Sequence, residues 1–246
     1  MQELEGSVAI VTGAARNIGR AIALDLADAG AAVTVLARSD FAGVKSVADE
    51  IVSRGGRALA IQGDITRPDD VRRMVDETLK KFGRLDILVN NAGVRPEGPF
   101  ENMTLEAWHQ VLAVILDGPF LCSQAALPAL EKSGRGAIIN IGGLTAYTGA
   151  PHRAHVITAK AGLGGFTKAL AVELSPKGIT VNLVAPGMIA TKRDGADPVH
   201  RKTRTLLAPR QGQPEDVAAM VRHLAGPKGR SMTGQTIHIN AGVYLP

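Results

Sequence analysis

Apolar and polar positions along the chain keep two rhythms in turn. Short aliphatic runs bounded by glycine or proline read as buried strands: Val8 to Val11, Ala32 to Ala37, Ala58 to Gln62, Ile87 to Asn90, Ala137 to Ile141, Thr180 to Val184 and Thr236 to Ile239. Between them lie runs with helical spacing: Ile18 to Ala29, Phe41 to Ser53, Pro68 to Phe82, Leu105 to Leu130, Ala154 to Leu174, and a last one opened by Pro214. Gly30 and Gly55-Gly56 stop two of these helices, and Pro68 and Pro214 suit a first helical turn. Gly118-Pro119 interrupts the long region and predicts a kink or restart there. The alternation of strand and helix predicts an α/β fold, a doubly wound parallel sheet of seven strands with helices on both faces. No repeat, low-complexity tract or linker divides residues 1–246, which read as a single domain.

Composition narrows the picture. Hydrophobic residues make up 45% of the chain but aromatics only 3%, so Val, Ile, Leu and Ala must build the core. Aliphatic strands suit a sheet covered on both faces. The net charge of +5 is scattered over helix faces, which predicts a solvated surface and no nucleic-acid partner. The only cysteine, Cys122, sits in an apolar helical run and reads as a buried thiol. One cysteine, a polar acidic start and no apolar run of membrane-spanning length together predict a cytoplasmic protein without a membrane partner. No pair of histidines has a companion set of zinc ligands, so no metal site is expected.

The first strand breaks at Gly13, and a helix begins near Ile18. Strand, glycine turn and helix in that order make a phosphate site. The open N–H groups and positive dipole end of the helix suit a pyrophosphate, which glycines let approach the backbone. A dinucleotide-binding, Rossmann-type sheet is therefore expected.

Several motifs extend this reading. Thr12-Gly13-x-x-x-Asn17-Ile18-Gly19, Asn90-Asn91-Ala92-Gly93, Thr158-Ala159-Lys160-Ala161-Gly162-Leu163 and Pro186-Gly187-Met188-Ile189-Ala190-Thr191 stand in order on the predicted elements. On these segments the chain resembles the short-chain dehydrogenases/reductases over nearly its full length. Asn17 stands where that family usually has glycine, and Asn tolerates the left-handed backbone such a loop needs. The resemblance implies nucleotide contacts by Gly13, Arg16, Asn17, Ile18 and Gly19, by Asp64 and Ile65 near adenine, and by Asn91, Ala92 and Gly93. Asn90 more often steadies the sheet. The family segment packed over nicotinamide corresponds to Pro186, Gly187, Ile189 and Thr191, and Lys160 would hold the adjoining ribose. NAD-binding relatives carry an acid at the end of the second strand. Here Leu36-Ala37-Arg38-Ser39 has none, and Arg38, with Ser39 and Arg16 nearby, suits a 2′-phosphate. NADP(H) is favoured over NAD(H).

The family's proton chemistry rests on Asn, Ser, Tyr and Lys. Lys160 fills the Lys position, but four residues earlier, at the Tyr position, stands Val156. Thirteen residues before that, at the Ser position, stands Gly143, and Ile115 follows Trp108-His109-Gln110-Val111-Leu112-Ala113-Val114 at the Asn position. No shift of register restores the set. The only tyrosines are Tyr147 and Tyr244, Pro151 lies four residues after Tyr147, and no Ser lies between Ser133 and Ser175. Tyr147 and His152 are the candidate replacement proton donors, with Arg153 and His155 beside them near the mouth.

Three functions stay open on this reading. One is an oxidoreductase acting on a small carbonyl or alcohol with a non-standard proton donor. Another is a catalytically inactive NADP(H)-binding sensor or partner. The third is a non-redox enzyme on the same scaffold. Basic residues in the segment 188–210, read as a substrate lid, would tolerate an acidic substrate. The resemblance implies a homotetramer or homodimer.

Overall fold

In the computed structural model, residues 2–192 and 205–246 are described. Seven strands form one parallel sheet: β1 (Val8–Thr12), β2 (Ala32–Ala37), β3 (Arg57–Gln62), β4 (Ile87–Asn90), β5 (Ala137–Ile141), β6 (Thr180–Pro186) and β7 (Thr236–Ile239). Their spatial order is β3-β2-β1-β4-β5-β6-β7. The order reverses between β1 and β4, where their carboxyl ends leave the crevice typical of ligand sites in such sheets.

The connecting helices are α1 (Asn17–Asp28), α2 (Phe41–Ser53), α3 (Pro68–Phe82), α4 (Leu105–Leu112), α5 (Gly118–Ser133), α6 (Thr145–Thr148), α7 (Ala154–Leu174) and α8 (Pro214–Ala225). Two apolar layers sandwich the sheet, as strand alternation requires. Ala9 and Val11 of β1 pack with Ile22 and Leu26 of α1, Val44 and Ile51 of α2, and Val221 and Leu224 of α8. Ile10, between them in sequence, faces Met74 of α3, Cys122 and Leu130 of α5, and Leu174 of α7. Burial pushes the Cys122 thiol up to about 12, which leaves it inert.

The long central helix adds a feature the sequence did not suggest, a π turn ahead of the expected break. This turn covers Ala113–Asp117, and of the two expected outcomes at Gly118-Pro119 the restart is the one found, with this pair opening α5. Pro119 falls in a first turn, where its missing N–H costs nothing. The joined run Leu105–Ser133 is also long and apolar enough to cross a membrane, contrary to the expectation for any segment of this chain. Here its inner side is spent on the core, with Cys122, Ala126 and Leu130 fully buried. Strand β6 runs on to Pro186 because β7 pairs with it up to Pro186 and Ile239.

One buried acid anchors the sheet floor. Asp86 is 1% exposed; it accepts from the Val8 N–H at 2.9 Å, from Arg84 at 2.7 and 2.9 Å, and from Arg135 at 3.0 Å. Asp86→Ala strands the Val8 N–H and removes the partner of two half-exposed arginines. A loss of about 2–4 kcal/mol is expected, read as a lower urea midpoint with an unchanged slope.

Candidate functional site

The crevice above β1 and β4 is a cleft of about 460 Å³, in the range of small-ligand sites. Its floor is the glycine loop. Gly13 has φ +64°, and a Cβ there would lie 2.7 Å from the Ala92 Cα. Thr12 Oγ1 accepts from the Asn91 and Ala92 N–H groups at 3.0 and 3.1 Å. The Asn91 side-chain amide donates to the Thr12 and Gly13 carbonyls at 2.9 and 3.0 Å. The loops after β1 and β4 are thus stitched together with no space for a side chain between them. Arg16 precedes α1 in extended conformation and its side chain does not cap the helix, whose first-turn N–H groups have no partner within the helix itself.

Asn17 adopts φ +53°, the left-handed geometry the sequence calls for. Its side chain does more than permit the turn. Nδ2 donates to the Lys192 carbonyl at 3.1 Å, and Oδ1 accepts from the Lys192 N–H at 3.0 Å. The glycine loop is thereby clamped to the segment after β6. Asn90 has the structural role expected of it, donating to Asn140 at 2.9 Å while Asn140 donates to Thr167 at 2.9 Å.

At the outer end, Arg38, Ser39, Asp64 and Ile65 line the cleft. Arg38 is 64% exposed and stands 3.9 Å from Asp64. Asp40, the one acid near the end of β2, is committed elsewhere: its Oδ1 caps α2 by accepting from the Gly43 N–H at 2.9 Å. Asp64 Oδ1 is likewise held, by the Thr66 N–H and hydroxyl at 2.9 and 2.8 Å.

The inner end is built from the tip of β5, the first turns of α7 and the turn after β6. Gly187 packs so tightly that a Cβ would sit 2.7 Å from the Asn240 Cα. The Leu144 N–H donates to the Pro186 carbonyl at 2.9 Å, and the Ala190 N–H to the Gly212 carbonyl at 2.8 Å. Pro186, Gly187, Ile189 and Thr191 all line the cleft. Residues 193–204 of the expected lid lie outside the described residues.

Lys160 reaches this end from α7. Its Nζ donates to the Gly142 carbonyl at 2.6 Å. A Cβ on Gly143 would lie 2.9 Å from that Nζ and 3.2 Å from Lys160 Cδ, so the amine fills space that a side chain at 143 would claim. Burial, and then the charges of Arg95 and Arg153, push the Lys160 ammonium down to about 8. Beside it, Ile115 and Val156, 3% and 1% exposed, join Val111 and Ala159 in one apolar cluster. A buried polar group there would have no partner within that cluster.

Every residue expected to touch the nucleotide lines the cleft, as does Lys160. Tyr147 and His152 do not line it. Tyr147 sits on α6, with its ring edge-on to His238 at 4.6 Å and stacked on Tyr244 at 5.6 Å, and its hydroxyl 3.4 Å from Thr236 Oγ1. The ring is directed toward β7 and the C-terminal segment. His152 precedes α7 with φ +60°, and its carbonyl accepts from the Gly98 N–H at 3.0 Å. Arg153, 5% exposed, does line the cleft, and so does Arg95, a residue in no motif.

The family profile described as enoyl-(acyl carrier protein) reductase matches residues 13–244. The chain is 41% identical to a 3-oxoacyl-[acyl-carrier-protein] reductase of Synechocystis, over the whole of both chains. A short chain dehydrogenase from Burkholderia cenocepacia, solved in complex with NADP, superposes with a TM-score of 0.91 at 37% identity, covering 98% of this chain and 99% of that one. A blue fluorescent protein from a metagenomic library, solved in complex with NADPH, gives 0.92 at 36% identity, covering 99% and 100%. Sheet order, glycine loop and these matches together place the chain in the short-chain dehydrogenase/reductase family.

Proposed function

We propose that this protein is an NADP(H)-dependent oxidoreductase that interconverts a small carbonyl compound and its alcohol, with Lys160 carrying the proton. The observation that carries the reading is the place of the Lys160 amine, in the space of a missing side chain at Gly143. The residues fit the cofactor: the packed glycines leave backbone N–H groups open at α1, and Arg38 replaces the usual acid beside a committed Asp40. Arg16 and Arg38 would hold the 2′-phosphate, and the turn from Pro186 to Thr191 would cover the nicotinamide. When bound, the reduced cofactor supplies a hydride, and with it two electrons, to the carbonyl carbon.

The chain must then give the carbonyl oxygen a proton. In the register of the resemblance, Val156, Gly143 and Ile115 stand where relatives hold Tyr, Ser and Asn, so the usual donor is gone. Lys160 is the titratable donor at the inner end that titrates near neutral pH. Its ammonium gives one proton to the oxygen as the alkoxide forms, and the resulting amine is reprotonated from water. An acid with affinity close to the working pH is well matched to this task. The Synechocystis relative's name supports a ketone as the reacting group.

A panel of ketones and aldehydes with NADPH tests the reading, scored by loss of nicotinamide absorbance. Consumption with at least one substrate supports it. The purely apolar cluster around Val156 favours a second reading, a non-catalytic NADP(H)-binding protein, in which NADPH binds and no substrate is turned over. Arg38→Leu should weaken NADPH binding by about 10–100-fold and leave NADH within about twofold, since a charged hydrogen bond to the phosphate is lost. Direct fluorescence titration with both nucleotides reads that difference.

The same family reading favours a homodimer or homotetramer. Phe120 of α5 and Val172 of α7, 46% and 79% exposed, offer apolar contact area on the outer helices. Sedimentation should give a multiple of the 25.7 kDa chain mass, and a monomer at micromolar concentration would count against it.

A further inference from the structure

The surroundings of the Lys160 amine favour attack on carbon as well as transfer of a proton. The side chain is part-buried and lines the cleft. Among the described residues its Nζ makes one hydrogen bond, to the Gly142 carbonyl at 2.6 Å, and no ion pair. The lining at this end is apolar. Leu144 follows Gly143, Leu163 lies one turn after Lys160, and Ile115 and Val94 belong to the cluster around Ala159. Gly143 leaves the approach to the nitrogen open. The three heavy atoms nearest to where its Cβ would stand are Nζ, Cδ and Cε of Lys160, at 2.9, 3.2 and 3.6 Å. A small group can enter beside the amine in the space that a side chain at 143 would occupy.

An amine in such a place is reactive for a lysine. Desolvation brings it down to about 8, so about a tenth of it is unprotonated at about pH 7, against about three parts in ten thousand for an ordinary lysine. Desolvated lysines add to carbonyl groups. We propose that the Lys160 amine is a covalent capture site for a small aldehyde, which it holds as an imine at the inner end of the cleft. The lone pair of Nζ adds to the carbonyl carbon, and the carbon–oxygen π pair moves to the oxygen. A proton passes from nitrogen to oxygen, and with a second proton from solvent the hydroxyl leaves as water. The product is a protonated imine, whose N–H can keep the bond to the Gly142 carbonyl. Nothing is oxidised or reduced, and water is the only other product. Capture needs only the position of the amine, whereas the reductase reading uses the same nitrogen as its ammonium.

The test is reductive trapping. The full chain, without added nucleotide, is incubated with propanal and sodium cyanoborohydride at about pH 7, and the modified residues are mapped by peptide mass spectrometry. The expected result is a propyl group on Lys160, formed at least about tenfold faster than on any other lysine. The α-amine, which titrates at about 8 in ordinary peptides, is scored separately. Gly143→Ala should slow the reaction at Lys160 by about tenfold or more and leave the other lysines within about twofold, since its Cβ closes the approach. If the urea midpoint of that variant falls, the mapping of the unsubstituted protein decides alone. Labelling of Lys160 no faster than of the other lysines overturns the proposal, as does labelling that a stably folded Gly143→Ala leaves unchanged. A stable adduct on Lys160 without the reductant overturns the imine assignment. Capture at Lys160 with no carbonyl compound turned over by NADPH supports the capture site and overturns the reductase reading. Turnover without capture does the reverse.

Discussion

Lys160→Met should lose turnover and gain stability at once. The amine lies part-buried in the cleft wall, and its affinity for a proton falls from the ordinary 10.5 to about 8. A difference of that size corresponds to a cost of about 3 kcal/mol for holding the charge in the folded state. The unfolded chain binds this proton more tightly, so the cost is fully present below the folded value. It is relieved as pH rises from about 8 toward 10.5, where the unfolded state alone stays protonated. Methionine removes the charge and keeps most of the volume. It also removes the bond to the Gly142 carbonyl, which returns about 1 kcal/mol. A net gain of about 1–3 kcal/mol near neutral pH is expected, shrinking as pH approaches the unfolded value, and urea melts across that range measure it. Turnover should fall by about 10²–10⁴, the usual worth of a positioned acid. In the unsubstituted protein, carbonyl reduction needs the ammonium. Its rate should be level below about 8 and drop about tenfold per pH unit above it. A bend near the ordinary histidine range would point to a different donor.

Gly19→Ala should abolish nucleotide binding while sparing most of the fold. A Cβ at this position runs into the Gly13 carbonyl and the Asn91 side-chain amide, the two groups that fix the loop. Neither can move freely, because Asn91 is also bonded to Thr12. Helix α1 must therefore shift away from the loop and take its first-turn N–H groups with it. Overpacking of this kind costs about 1–3 kcal/mol of stability. The nucleotide loses both its backbone donors and its close approach, so NADPH affinity should fall at least about 100-fold. Fluorescence titration and a thermal melt on the same sample separate the two effects.

Much of this was legible in the order of residues. Strand and helix periods place every strand of the sheet to within a few residues, because buried parallel strands are aliphatic and their helices are punctuated by Gly and Pro. Asn17 takes the left-handed backbone because few other non-glycine residues tolerate it. The cleft wall was readable for a similar reason: it is built from backbone and from short motifs tied to strand ends. What escaped depends on distant partners. Tyr147 follows Gly143 closely in sequence, yet its ring is claimed by His238 and Tyr244, which arrive from the other end of the chain. His152 lies two residues before the first turn of α7 and is fixed by its backbone to Gly98. Arg95 belongs to a loop without periodicity, so nothing in the sequence aims it at the cleft. The place of the Lys160 amine follows from the absence of a side chain at Gly143, a packing relation between β5 and α7 that no local pattern encodes.

Binding of a nicotinamide nucleotide by a site that sets Lys160 beside Gly143, Val156 and Ile115 is the central claim, and equilibrium titration of the purified protein with NADPH and NADH tests it most directly. The expected result is saturable NADPH binding at about micromolar Kd, at least about tenfold tighter than NADH. Absence of saturable binding by either nucleotide would contradict it.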